Sequence, residues 1–105
     1  IASADTPPTA IICGSEPFAY GAIFEAAEMG IDIPGRISVA GFDDLWLSSQ
    51  IKPSLTTIRT PQRLIAERAA HYLLARLSGK ETASPRPLET DLIIRNSTGP
   101  APNAL

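Results

Sequence analysis

The stretch that most constrains this chain is residues 9–13, Thr-Ala-Ile-Ile-Cys, a short β-prone run bounded by Pro7-Pro8 before it and Gly14 after it. An apolar run without polar alternation reads as a strand buried on both faces, the environment of a parallel sheet. A second such run, Ile37-Ser38-Val39-Ala40-Gly41-Phe42, ends at the acidic pair Asp43-Asp44, and a third, Leu55-Thr56-Thr57-Ile58, follows Pro53. Between the first two the pattern predicts a helix over 16–29. Ser15 suits its N-cap, Glu16 and Pro17 suit its first turn, and Gly30 suits a left-handed C-cap. Thr60-Pro61 reads as N-cap and first position of a longer helix to about Leu77, where Gly79 stops it. Leu64, Ile65, Ala69, Leu73 and Leu77 keep close to helical spacing, with Arg63, Glu67 and Arg76 on the wet side. A proline-rich loop, 85–87, precedes a last strand over roughly 88–95, and the tail from Asn96 is expected to fray. The order β-α-β-loop-β-α-β implies an α/β sandwich with a largely parallel sheet and right-handed crossovers.

Length and charge narrow the function. A chain of 105 residues is one domain at most. Its opening, Ile1-Ala2-Ser3-Ala4-Asp5, lacks a methionine and reads as the start of a fragment of a longer chain. Nine basic and eleven acidic side chains give a net charge of −2, without the basic excess that phosphate neutralisation demands. These residues are not expected to hold DNA themselves. One cysteine, Cys13, excludes an internal disulfide and suits a reducing compartment. No apolar run approaches the roughly 18 residues that span a bilayer, and no signal-peptide pattern opens the chain. The sequence reads as cytoplasmic.

Ligands of an open parallel sheet bind beyond the carboxyl ends of its strands. Two strands here end in polar residues, Gly14-Ser15-Glu16 and Asp43-Asp44, and the first group also opens a helix. Both groups are placed to hydrogen-bond a hydroxyl- or nitrogen-rich small molecule in one cleft. The chemistry of the motifs also admits the plainer reading, in which Ser15 caps a helix and the two aspartates only polarise a turn. Helix 16–29 carries Glu16, Glu25 and Glu28 as its only charges, so it must be covered on more than one side. One side fits the sheet, and the other fits either a partner subunit or further parts of the same chain.

Other candidates for chemistry are weaker. His71 is the single histidine and sits mid-helix, while Cys13 has no cationic neighbour in sequence to lower its pKa. Trp46 and Leu47 read as packing or interface residues in a loop, and Asn96-Ser97-Thr98 is a glycosylation acceptor without meaning in a cytoplasmic chain. No metal-ligand spacing, phosphate loop or nucleophile elbow occurs. An enzyme using Asp43 and Asp44 as acid and base needs their carboxyl groups to converge, and adjacent residues point apart. The expectation is no catalytic residue, no metal and no cofactor.

Pro8-Thr9-Ala10-Ile11-Ile12-Cys13-Gly14-Ser15-Glu16, followed by Ala19-Tyr20-Gly21-Ala22, resembles the pattern P-T-A-[apolar]-x-C-x-N-D…A-x-G-A of the LacI/GalR family of bacterial transcriptional regulators. Glu28-Met29-Gly30 through Pro34, and Ile37-Ser38-Val39-Ala40-Gly41-Phe42-Asp43-Asp44, resemble the family's E-x-G and S-[apolar]-x-G-[FY]-D-D segments. Leu55-Thr56-Thr57-Ile58-Arg59-Thr60-Pro61 is similar to its L-T-T-[apolar]-x-x-P, and Arg95-Asn96-Ser97-Thr98 to its terminal R-x-S-T.

This resemblance, over about 8–98, implies an α/β three-layer sandwich with a mainly parallel sheet, periplasmic binding protein type I-like, present as a partial domain. It implies two lobes around a cleft, a homodimer, and an N-terminal helix-turn-helix headpiece, absent here, that binds operator DNA. Residues 1–98 are then the C-terminal part of the effector-binding and dimerisation domain, and 99–105 a flexible tail. The partner implied is a small-molecule effector, a sugar or related metabolite, with no membrane. Asp43 corresponds to the family's effector-contacting aspartate, and Ser15-Glu16 stands where the family has N-D at the cleft. Tyr20, Ile23, Phe24 and Ile51 correspond to dimer contacts, and helix 61–77 is expected to pack on the other lobe. A periplasmic solute-binding protein of a transporter shares the fold and is the alternative. G-F-D-D followed by L-T-T favours the regulator.

Overall fold

The computed structural model describes residues 5–102. Residues 1–4, where the fragment start was read, and 103–105 of the expected tail lie outside the described residues. The chain divides at Arg59/Thr60 and Thr90/Asp91 into two units.

The larger unit holds a sheet of β1 (Ala10–Ile12), β2 (Ser38–Asp43), β3 (Thr56–Arg59) and β4 (Asp91–Ile93), in the order β1-β2-β3-β4. The first three strands run parallel and β4 is antiparallel to β3. The mainly parallel sheet is the expected one, and the last strand is shorter than the 88–95 read from sequence.

Helix α1 (Glu16–Glu28) crosses from β1 to β2 and ends as the sequence predicts. Gly30, with φ 67°, lets the amides of Gly30 and Ile31 reach back to Ala27 and Ala26. That is a Schellman stop, and it needs a residue without a Cβ penalty in the left-handed region. At the other end Ser15 holds the N-cap position in extended conformation, but its hydroxyl makes no capping bond.

Register assigns the faces. Ile11 pairs with Val39 and Gly41 with Thr57, and these residues look toward α1. Ala19, Tyr20 and Ile23 of α1 pack there with Val39, Ile51 and Leu55, and Cys13, Ala22, Ile33 and Leu47 close the cluster's rim. Gly41 admits the helix: a Cβ at that position would lie 2.9 Å from a Leu55 methyl and 3.2 Å from Glu16 Cγ.

The expectation that 9–13 is buried on both faces needs correction. Ile12 is 84% exposed, because β1 is an edge strand and Ile12 points away from α1. On that same opposite face Leu92 is also exposed.

The segment after β4 does not fray as expected. Ser97 is fully buried; its Oγ donates to the Val39 carbonyl at 2.6 Å and accepts the Thr56 amide at 2.8 Å. Its backbone joins Val39 and Ser54. Farther on, the Gly99 amide donates to Ser38 Oγ at 3.1 Å. The R-N-S-T segment thus stitches β2 to β3 in place of a further strand.

The smaller unit, Thr60–Thr90, contains α2 (Gln62–Leu77), which begins one residue later than the Thr60-Pro61 cap predicts, with Pro61 at the N-cap. Gly79, with φ 72°, stops it with the same Schellman bonds, from Gly79 to Arg76 and from Lys80 to Ala75. No residue of α2 is buried, and Leu73, Leu74 and Leu77 are exposed.

Leu55 is 0% exposed at the centre of the core. Leu55→Ala is expected to cost about 2–5 kcal/mol, because a rigid cluster collapses only partly around the lost methyls. Urea unfolding of the two proteins, compared by their midpoints at equal slope, measures it.

Candidate functional site

Three parallel strands deliver their carboxyl ends to one edge of the sheet, and the loops there carry the polar residues. Ser15 follows the end of β1 by three residues, at the N-cap of α1, and Asp43 is the last residue of β2. Asp43 in turn pairs with Arg59 at the end of β3. Ser15 and Asp43 are both half-buried.

The turn beyond β2 has unusual backbone. Asp43 and Asp44 are consecutive non-glycine residues with φ of 110° and 57°. Such conformations cost on the order of 1–3 kcal/mol each and persist only where the surroundings over-determine them. Aspartate tolerates the left-handed region better than most residues, which helps Asp44 more than Asp43.

What over-determines the turn is Glu16, the first residue of α1, whose side chain is 0% exposed. Its Oε1 accepts the Asp44 amide at 2.7 Å and the Thr57 hydroxyl at 2.6 Å. Its Oε2 accepts the Leu45 amide and the Tyr20 hydroxyl, each at 2.7 Å. Tyr20 Oη also shares a 2.8 Å bond with Ser48 Oγ in the one-turn 3₁₀ helix Trp46–Ser49. Burial alone raises the pKa of Glu16, but the bonds from Thr57, Tyr20 and Leu45, with the Ser48 hydroxyl close by, outweigh it and hold the carboxyl below its ordinary value. Burial chiefly pushes the Tyr20 hydroxyl up, so it donates and does not ionise.

Asp44 is fixed from its side chain as well. Oδ1 meets Arg95 Nη2 and Oδ2 meets Arg59 Nε, both at 2.6 Å. Arg95 is mostly buried and also donates from Nη1 to the Leu55 carbonyl at 2.8 Å, whereas the Arg59 side chain is 54% exposed. Burial opposes ionisation of Asp44, and the two guanidinium groups overcome it to lower the pKa. The reading of Asp44 as a turn residue agrees with this geometry.

The structure relocates several residues that the sequence nominated. Glu16, named as a cleft residue, spends its oxygens on internal donors. Tyr20, Ile23 and Ile51, named as dimer contacts, belong to the chain's own core at 8%, 2% and 8% exposure. A helix position at that spacing serves the sheet, and only Phe24 of the four stands on the surface, at 52%. Sequence reasoning missed Arg95, Thr57 and Ser48. The first two stand inside the R-x-S-T and L-T-T motifs, whose recurrence was the available signal. His71 is exposed, and burial raises the Cys13 thiol pKa. Among the described residues no group of three or more His, Cys, Asp or Glu side chains is placed to hold a metal ion.

Residues 1–98 match the family model described as periplasmic binding protein-like domain. The HTH-type transcriptional repressor CytR of Escherichia coli (strain K12) is 38% identical over 97 residues, covering 91% of this chain and 28% of that repressor. The lac repressor dimer solved with operator and the anti-inducer ONPF superposes with a TM-score of 0.78 at 33% identity, over 87% of this chain and 32% of that one. The transcriptional regulator CelR in complex with cellobiose gives a TM-score of 0.77 at 28% identity, over 85% of this chain and 28% of that one. The chain therefore spans about a third or less of these relatives' length.

Both carboxylates at the turn have folded pKa values below their ordinary ones. The stabilisation they give is present above the ordinary carboxylate range and is lost as pH falls through the lower folded values. Thermal melting of the chain should be nearly level from pH 7 to about pH 5 and fall below about pH 4. An Asp44→Asn variant should melt lower at neutral pH and show a shallower acid limb. An acid limb as steep as that of the parent sequence would remove Asp44 from this account.

Proposed function

The chain belongs to the LacI/GalR family of transcriptional regulators, as part of the periplasmic binding protein-like domain, and from this premise we propose that its β-strand ends form one wall of an effector cleft. Asp43 is the contact residue at that wall. The observation that carries the reading is its position: the last residue of β2, at the carboxyl edge of a parallel sheet, in a turn held at positive φ from both backbone and side chain. A carboxylate there accepts hydrogen bonds from hydroxyl or amino groups, so the effector is a neutral or cationic polyol, sugar or nucleoside. Ser15, at the N-cap of α1 with its hydroxyl making no capping bond, adds a hydroxyl of either polarity. Glu16 is not a contact in this reading, because its oxygens are already engaged.

The full-length protein is then a cytoplasmic regulator that binds operator DNA through a headpiece elsewhere in its sequence, and the effector changes that binding. The named relatives favour a regulator over a transporter component and over an enzyme. No helix among the described residues is long and apolar enough to cross a membrane. Association uses the outer face of α1, where Phe18 and Phe24 are exposed at 74% and 52%. Phe24 beside the buried side of the helix is the residue on which a second copy is proposed to pack, with Glu25 and Glu28 at the rim.

Two measurements test these statements on the full-length regulator. A thermal-shift screen of neutral mono- and disaccharides and nucleosides identifies the effector, and calorimetry on Asp43→Ala should then give an affinity about ten- to a hundredfold weaker. Asp44→Ala should instead lower the melting temperature by freeing the buried Arg95. An unaltered affinity for Asp43→Ala means that the wrong carboxylate is assigned. In sedimentation velocity, Phe24→Glu should dissociate the assembly by burying an unpaired charge. A parent protein that sediments as a folded monomer at micromolar concentration rules the interface out.

A further inference from the structure

Successive backbone N–H groups in a strand point to opposite sides, so two adjacent amides reach one acceptor only where the chain departs from extended geometry. The amides of Asp44 and Leu45 both reach the Glu16 carboxylate, one on each oxygen, at 2.7 Å. The dihedral angles of Asp44, at φ 57°, turn the two amides to one side, and Asp43, at φ 110°, aims the pair at Glu16. Two consecutive amides of a turn thus close on one negative charge, as they do around bound anions. Here the anion is not a ligand. It is a side chain of the same protein, carried by the first turn of α1 and buried beneath the sheet edge.

We propose that Glu16 is the positioning residue of the effector cleft: its buried carboxylate holds the Asp43-Asp44-Leu45 turn in its left-handed form and so sets where Asp43 stands. The proposal rests on the reading of Asp43 as the effector contact and adds the device that presents it. Three further features serve the device. Thr57 and Tyr20 each spend a hydroxyl on the same carboxylate and fix its plane from β3 and α1. Gly41 leaves the lane through which the Glu16 side chain reaches the turn, since a Cβ would stand 3.2 Å from Glu16 Cγ. Asp44, tied to Arg95 and Arg59, anchors the turn's far side. Without the carboxylate, the Leu45 amide loses its acceptor and the Asp44 amide keeps only a long bond to Thr57 Oγ1, at 3.4 Å, and the cheapest relief is for Asp43 and Asp44 to return to negative φ. That motion carries the Asp43 side chain out of its place.

Glu16→Gln in the full-length regulator is the direct test. A carboxamide has one acceptor oxygen, and in either orientation its NH₂ faces an N–H donor, of Asp44 or of Leu45. Amide hydrogen exchange resolved to single residues, measured without any effector, should speed up about tenfold or more at Asp44 and Leu45. Exchange at Val39 and Gly41, within β2, should stay at the parent rate. A crystal structure of the variant should place Asp43 and Asp44 at negative φ. Unchanged exchange at the two amides overturns the proposal. Equal acceleration along all of β2 also overturns it, because Glu16 would then support the fold in general. Should Glu16→Gln fail to fold, Glu16→Asp carries the test: it keeps the charge but withdraws it by one methylene. The same two amides should accelerate, to a smaller degree, and parental exchange there overturns the proposal. Failure of the Asp43 contact reading leaves these effector-free results untouched and is seen instead as an unaltered affinity of Asp43→Ala.

Discussion

An ionised carboxylate buried without water is tolerated only if the protein supplies the hydrogen bonds that water would have made. Glu16 receives them from two hydroxyls and two backbone amides, so every lone-pair direction it needs is answered. The donors come from α1 itself, from β3 and from the turn after β2, and Ser48 of the 3₁₀ helix joins through Tyr20. Because each donor is useful only in one place, satisfying the charge fixes the relative position of these elements. The same condition sets the acid sensitivity of the turn and makes the left-handed backbone of Asp43 and Asp44 affordable. A hydrophobic residue at position 16 would leave the Leu45 amide with no acceptor and the Asp44 amide with only Thr57 Oγ1, at 3.4 Å.

Around that carboxylate the sheet edge is built in two tiers. Nearest the strands are internal pairs: Glu16 with its donors, and Asp44 between Arg59 and Arg95. Beyond them stand Ser15 and Asp43, the residues to which the proposed function gives the effector. Arg95 links the tiers to the C-terminal stitch, since it holds Asp44 with one nitrogen and the Leu55 carbonyl with another, two residues before the buried Ser97. A residue at the end of the chain thereby braces a turn formed by residues far earlier in it. The family's terminal R-x-S-T motif has a physical explanation here: the arginine pairs with the turn, the serine replaces missing sheet hydrogen bonds, and Thr98 bonds Thr56 across them.

Much of the architecture is legible in the amino-acid sequence because it rests on local rules. Apolar runs locate the strands, and left-handed glycines at positions 30 and 79 stop both helices as expected. The G-F-D-D, L-T-T and R-x-S-T segments identify the family. Local rules also place Ser15 at the start of α1 and Asp43 at the end of β2.

Tertiary structure decided the roles of residues whose chemistry permits several. A glutamate at a helix start is equally suited to the helix dipole, to a ligand or to an internal pair of amides; the approach of the β2 turn to within 2.7 Å of both its oxygens selects the amides. Helical spacing puts Tyr20, Ile23 and Phe24 on neighbouring positions, but the direction in which the sheet lies buries the first two and exposes the third. Ile12 belongs to an apolar run and yet stands exposed, because strand order makes β1 an edge and register turns Ile12 away from α1. Sequence determines what each residue is able to do over a few positions of chain. Which partner it meets depends on contacts between residues distant in sequence, and those exist only once the sheet, α1 and the C-terminal segment have closed on one another.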